Sequence, residues 1–157
     1  MLYFTYTQHI PTHSSKKKEG GDISFLQMKG GDLFYIFVFM MKSFRVPIYG
    51  FMCRVICTDS IAKALKRYHI EEDSIAPSTS AAVYCMTHNQ TGGVDFILFV
   101  NGKLSFGDMA HECAHLAGAV LSYIEDKPSY EEDEPFCYLL GWFVDKIYPI
   151  LKAENLM

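Results

Sequence analysis

The segment His111-Glu112-Cys113-Ala114-His115 places two imidazoles four residues apart, with a carboxylate directly after the first. On an α-helix, residues i and i+4 stand one above the other on one face, so the two rings converge on a common point. That spacing suits a single Zn²⁺, which binds imidazole nitrogen at about 2.0–2.1 Å. Glu112 is rotated to the side of the metal, where it could take a proton from water held there. The chemistry such a constellation can carry is metal-assisted hydrolysis.

That chemistry needs a helix, and the flanking residues supply one. Ser105-Phe106-Gly107-Asp108 has the pattern of a capping box and opens a helix expected from about Phe106 to Ile124. At about 100° per residue, Met109, Cys113, Leu116, Val120 and Ile124 form a core-facing stripe. Ala110, Ala114, Ala117 and Leu121 fill a second apolar sector, which leaves His111, His115, Gly118 and Ser122 on the remaining face. A solvated face would carry Lys, Glu and Arg. Small residues beside two histidines instead predict the floor of a cleft. The competing view, two ordinary histidines with a solvated glutamate, suits a lone His better than a spaced pair on a capped, largely apolar helix.

A catalytic zinc takes three protein ligands and keeps a fourth position for water. Six acids follow the helix: Glu125, Asp126, Glu131, Glu132, Asp133 and Glu134. The last heads an apolar run, Pro135 to Val144, expected as a second helix with Pro135 tolerated in its first turn. A carboxylate at a helix start is fixed in direction by the packing behind it, whereas those on the connecting loop are not. Glu131, Glu132 and Asp133 read first as a solvated turn that favours the next helix N-terminus. Any one of the three could instead complete the ligand set.

On His111, Glu112, His115 and Glu134 the chain resembles the gluzincin class of zinc metallopeptidases, the thermolysin-like enzymes. That class carries HExxH on one helix and a glutamate ligand about 20 residues past the second histidine, on the next helix; Glu134 stands 19 positions after His115. The resemblance implies a compact zincin-like domain and a hydrolase acting on peptide or protein substrates. It implies a His111/His115/Glu134 site for Zn²⁺, with Glu112 as general base. It covers about Leu98 to Asp145 and extends to short metallopeptidase-like proteins of phages and bacteria, where a zincin core stands almost alone. Gly118 matches metzincins as well, but Leu121 occupies the place of their third histidine, so that family does not fit. Two positions depart from the thermolysin pattern. Tyr138 stands where an aspartate supports the first histidine, and the chain is too short for the large C-terminal domain that supplies an oxyanion-stabilising side chain. His88, Tyr84, Tyr123 and Tyr148 are the candidates for that role, each with a core or loop role as the alternative.

Composition frames this reading. A chain of 157 residues, half of them apolar and a fifth charged, predicts one folded domain. Residues 1–40 read as a loosely attached segment and 41–157 as the zincin-like domain, with Met41 a natural chain start. The formal charge of −4 and pI near 5.8 argue against nucleic-acid binding. An arm carrying Lys16, Lys17 and Lys18 is the feature that would support it. Five cysteines without a CxxC pair predict free thiols in a reducing compartment. The longest apolar run, Leu33 to Met41, falls well short of the roughly 20 residues that span a bilayer. The N-terminus lacks a secretory signal. A cytoplasmic protein without membrane or nucleic-acid partners is the expectation.

The fold class expected is α+β, with a mixed or antiparallel sheet of three or four strands. Strands are expected at Leu33 to Met40, Val46 to Thr58, Ala81 to Thr87 and Val94 to Val100, with a helix from Ser60 to Tyr68 and a loop from Glu71 to Ser80. Val94 to Val100 is apolar without alternation, which predicts cover on both sheet faces. Asn101-Gly102 turns the chain directly after it. That strand would form the upper edge of the cleft, where an extended peptide adds through main-chain hydrogen bonds. The second functional reading is a non-catalytic zincin-like module that binds a protein, its metal site structural or vestigial.

Overall fold

A computed structural model describes residues 5–8, 40–70, 76, 78–88, 93–126 and 133–157, with 5–8 and 88 as backbone only. Four strands between residues 40 and 100 build a mixed sheet: β2 (Met40–Arg45), β3 (Met52–Cys57), β4 (Ala81–His88) and β5 (Val94–Val100). A fifth, β1 (Thr5–Gln8), adds to one edge, so the order is β1-β4-β5-β3-β2. β5 runs antiparallel to β4 and parallel to β3, while β2 pairs antiparallel with β3 and β1 parallel with β4. Among the described residues there are three helices: α1 (Ile61–Arg67), α2 (Phe106–Tyr123) and α3 (Glu134–Ala153). The architecture is α+β, as the pattern predicted.

The run Val94–Val100 is the middle of the sheet, and all seven of its residues are buried. Phe96, Leu98 and Val100 face the core shared with α2 and α3. Ile97 and Phe99 face a smaller core under α1, with Ile61, Ala64 and Leu65. Both faces are covered, as expected. The same fact overturns the cleft-edge role given to this strand. Both its edges already carry ladder hydrogen bonds to β3 and β4, so no peptide can add there.

Asp95 is the buried acid in this strand, and Arg54 of β3 reaches it on the α1 side with Nε donating to Oδ2 at 2.7 Å. A carboxylate this far from water needs such a partner, because losing it would leave an uncompensated charge. The pair belongs to the sheet and stands apart from the histidines.

Two other expectations change, and a third falls largely outside the described residues. Val46 to Thr58 is not one strand: the chain reverses between Val46 and Phe51, closed by Val46 N–H to the Phe51 carbonyl at 2.8 Å and Gly50 N–H to the Val46 carbonyl at 2.9 Å. Pro47 and Gly50 explain the break; Gly50 takes φ 70°, which costs glycine little, and Ile48 takes φ 68° at the fully solvated tip. The N-terminal strand lies at Thr5–Gln8, a β-prone TYTQ stretch, while residues 33–39 of the strand expected at Leu33 to Met40 lie outside the described residues. The second helix runs past Val144 to Ala153 through Pro149. An interior proline costs about 3 kcal/mol. Ile147 and Leu151 continue the buried row of Leu139 and Phe143, and burying two such side chains offsets that cost at about 1.5–3 kcal/mol each.

Candidate metal centre

α2 starts as its sequence dictates. Ser105 Oγ accepts from the Asp108 N–H at 3.1 Å, and Asp108 Oδ2 accepts from the Ser105 N–H at 3.0 Å and from its hydroxyl at 2.7 Å. The reciprocal cap fixes the first turn, and the apolar stripe fixes the rotation of the helix. Met109, Cys113, Leu116 and Val120 are buried against the sheet, with Ala117 and Leu121 buried beside them. That rotation leaves His111, His115 and Ser122 exposed and Gly118 half-buried. Among the described residues this face is therefore open, where the sequence suggested a cleft floor.

The two imidazoles meet as the spacing requires. Nε2 of His111 lies 2.9 Å from Nε2 of His115, the rings nearly perpendicular with centroids 4.5 Å apart. Two protonated Nε2 atoms cannot face each other so closely, so at least one presents its lone pair. Burial of the His115 ring lowers its pKa, and the charge of His111 acts in the same direction; both favour the neutral, ligating form. Two nitrogens bound to one tetrahedral ion at about 2.0–2.1 Å lie roughly 3.3 Å apart. The pair fits Zn²⁺ with a movement of a few tenths of an ångström.

Glu112 is half-buried beside the pair, and burial raises its pKa above the usual carboxylate value, against the opposing charge of His111. A carboxylate displaced in that direction is a better proton acceptor at neutral pH than a fully solvated one. Cys113, in the middle of the motif, faces the sheet. Burial, with the Glu112 charge second, pushes its thiol up to about 12.

Glu134 is exposed at the first position of α3, and no group of three His, Cys, Asp or Glu among the described residues is placed to hold one ion. Helix α2 continues eight residues past His115, about 12 Å at 1.5 Å per residue, before ending at Tyr123. Glu125, Asp126 and Asp133 are exposed around that end. Asp133 is the N-cap residue of α3, though its side chain makes no capping bond. Glu131 and Glu132 lie outside the described residues.

Each aromatic candidate for oxyanion support packs against another ring. Tyr84 packs edge-on to Phe99 in the core under α1, Tyr123 packs on Phe51 at the far end of α2, and Tyr148 stacks on Phe106. The side chain of His88 lies outside the described residues. Tyr138 is 75 % exposed on α3 and supports no histidine. All five cysteines are free, and no helix among the described residues is long and apolar enough to cross a membrane. Comparison of the chain with protein-family models, with curated proteins and with solved structures finds no significant match.

Proposed function

We propose that the chain is a zinc-dependent hydrolase of peptide bonds, of the gluzincin kind that its HExxH segment resembles. The observation that supports this reading is the approach of two Nε2 atoms to 2.9 Å on a rigidly capped helix, with a half-buried glutamate beside them. His111 and His115 hold the ion through Nε2, and an acid from the segment between the two helices completes the set, with Glu134 the residue that the resemblance assigns. Zinc, when bound, acts as a Lewis acid that polarises the scissile carbonyl and makes water more acidic. Glu112 accepts the proton of the attacking water and returns it to the leaving amine. Among the described residues, the face of α2 that carries His111 and His115 is exposed, as access for an extended chain requires.

Removing and restoring the metal tests this. Dialysis against a strong chelator is expected to abolish cleavage of an unstructured protein substrate, and one equivalent of Zn²⁺ is expected to restore it. Cleavage that survives complete removal of metal would exclude the proposal.

A second reading is a zincin-like module that binds a protein and no longer turns over; Tyr138, which stands where the thermolysin-like pattern has a supporting aspartate, favours it. It predicts a zinc-replete protein without hydrolysis. Tight binding of a partner by the chelated protein would support it.

A further inference from the structure

We propose that a second copy of this chain closes the metal site when zinc is scarce: His111 and His115 of two copies share one ion, four imidazole nitrogens around a single cation. The inference rests on the zinc reading and goes beyond it, because it names a partner and a form of the site from which solvent is shut out.

Zinc in a closed site takes four ligands in a tetrahedron. Nε2 of His111 and Nε2 of His115 lie 2.9 Å apart and supply two of them. A second, identical pair supplies the other two, so two copies fill the shell with imidazole alone. Both rings are exposed, which puts their converging nitrogens within reach of another molecule. The side chains around them are short. One turn before the pair stand Gly107 and Asp108, one turn after it Gly118 and Ala119, and Ser122 follows, each shorter than an imidazole. The two histidines therefore stand highest on this stretch of α2, and a copy related by a two-fold axis through the ion presents the same two rings at the same height. The helix that carries them is already fixed by the Ser105–Asp108 cap and its buried stripe, so little order is lost on bridging. Each chain carries a formal charge of −4, which repels a second copy until a dication lies between them. The two forms exchange by mass action. With less than one ion for two chains, the shared shell uses all the metal; with one ion for each chain, every copy keeps its own and the position for water reopens.

Sedimentation of the full chain at about 100 µM, well above a micromolar dissociation constant, tests this with no zinc, with half an equivalent and with two equivalents. X-ray absorption at the zinc edge is recorded on the two zinc-containing samples. His115→Ala and His111→Ala are measured in parallel, their folding checked by circular dichroism.

The wild-type chain is expected to sediment at its single-chain mass of 17.9 kDa without zinc, at about twice that with half an equivalent, and again as a single chain with two equivalents. At half an equivalent the shell should hold four imidazole nitrogens. Both alanine variants should remain single chains at every zinc level. Zinc bound one-to-one by a single chain at half an equivalent would overturn the inference while leaving the zinc reading intact. A doubled mass that forms without zinc, that survives two equivalents, or that persists in a folded alanine variant would overturn it too, since another surface would then hold the copies together. A wild-type chain that binds no zinc would overturn both.

Discussion

Replacing Glu112 with glutamine is expected to leave zinc bound in one-to-one ratio and to lower turnover by about 10²–10⁴-fold, the usual contribution of a positioned general base. The amide has nearly the shape of the carboxylate but cannot accept the water proton. Glu112 is not one of the ligands, so affinity for the metal should stay within a few-fold of wild type. Stability gives an independent control. Burial raises the Glu112 pKa in the folded chain above its ordinary value of 4.5. The folded chain therefore holds that proton more tightly than the unfolded one. The charged form opposes folding at pH values above the raised pKa, and this penalty is relieved as pH falls toward 4.5. At neutral pH the glutamine variant should thus be at least as stable as wild type when both are free of metal. A variant that loses activity because it unfolds would show the opposite. Turnover equal to wild type in zinc-replete Glu112→Gln would remove the residue from the mechanism.

The second large effect is expected at His115. Removing a residue that merely supports a ligand costs 10–100-fold in metal affinity, so removing a ligand itself should cost more than about a hundredfold. His115→Ala should therefore purify without stoichiometric zinc and without activity. Its ring is exposed and its contacts are with His111, so the fold should survive with only the loss of one helix-surface side chain. Retention of tightly bound zinc by a folded His115→Ala variant would mean that the ion sits elsewhere. His111→Ala should behave in the same way, because each imidazole supplies one of the two converging nitrogens.

The elements that position the histidines were legible in the sequence because each rests on a local rule. Ser105 and Asp108 announce the start of α2 by chemistry confined to four residues. The spacing of Met109, Cys113, Leu116 and Val120 fixes which face is buried, and so which face the histidines share. The unalternating run Val94–Val100 announces a strand covered on both sides. What was not legible depends on partners distant in sequence. Nothing within Val94–Val100 says which strands flank it, so its central place and closed edges appeared only with the sheet order. The apolar run that marks α3 stops at Val144, and only the core behind Ile147 and Leu151 carries the helix on through Pro149. The 19 positions from His115 to Glu134 resemble a ligand spacing, and the sequence places Glu134 at the head of the next helix, where α3 does begin. Asp108 was legible as a cap, and it closes the reciprocal bonds with Ser105.

X-ray absorption at the zinc edge of the metal-loaded wild-type chain asks most directly whether these side chains build an open metal centre. Two imidazole nitrogens and one protein carboxylate oxygen, each at about 2.0–2.2 Å, with a further light atom from solvent, are the expected shell. His115→Ala should lose one nitrogen from it, and substitution of Glu134 or of an acid in the connecting segment should lose the carboxylate. A shell without imidazole, or a chain that retains no zinc under any condition, would contradict the account.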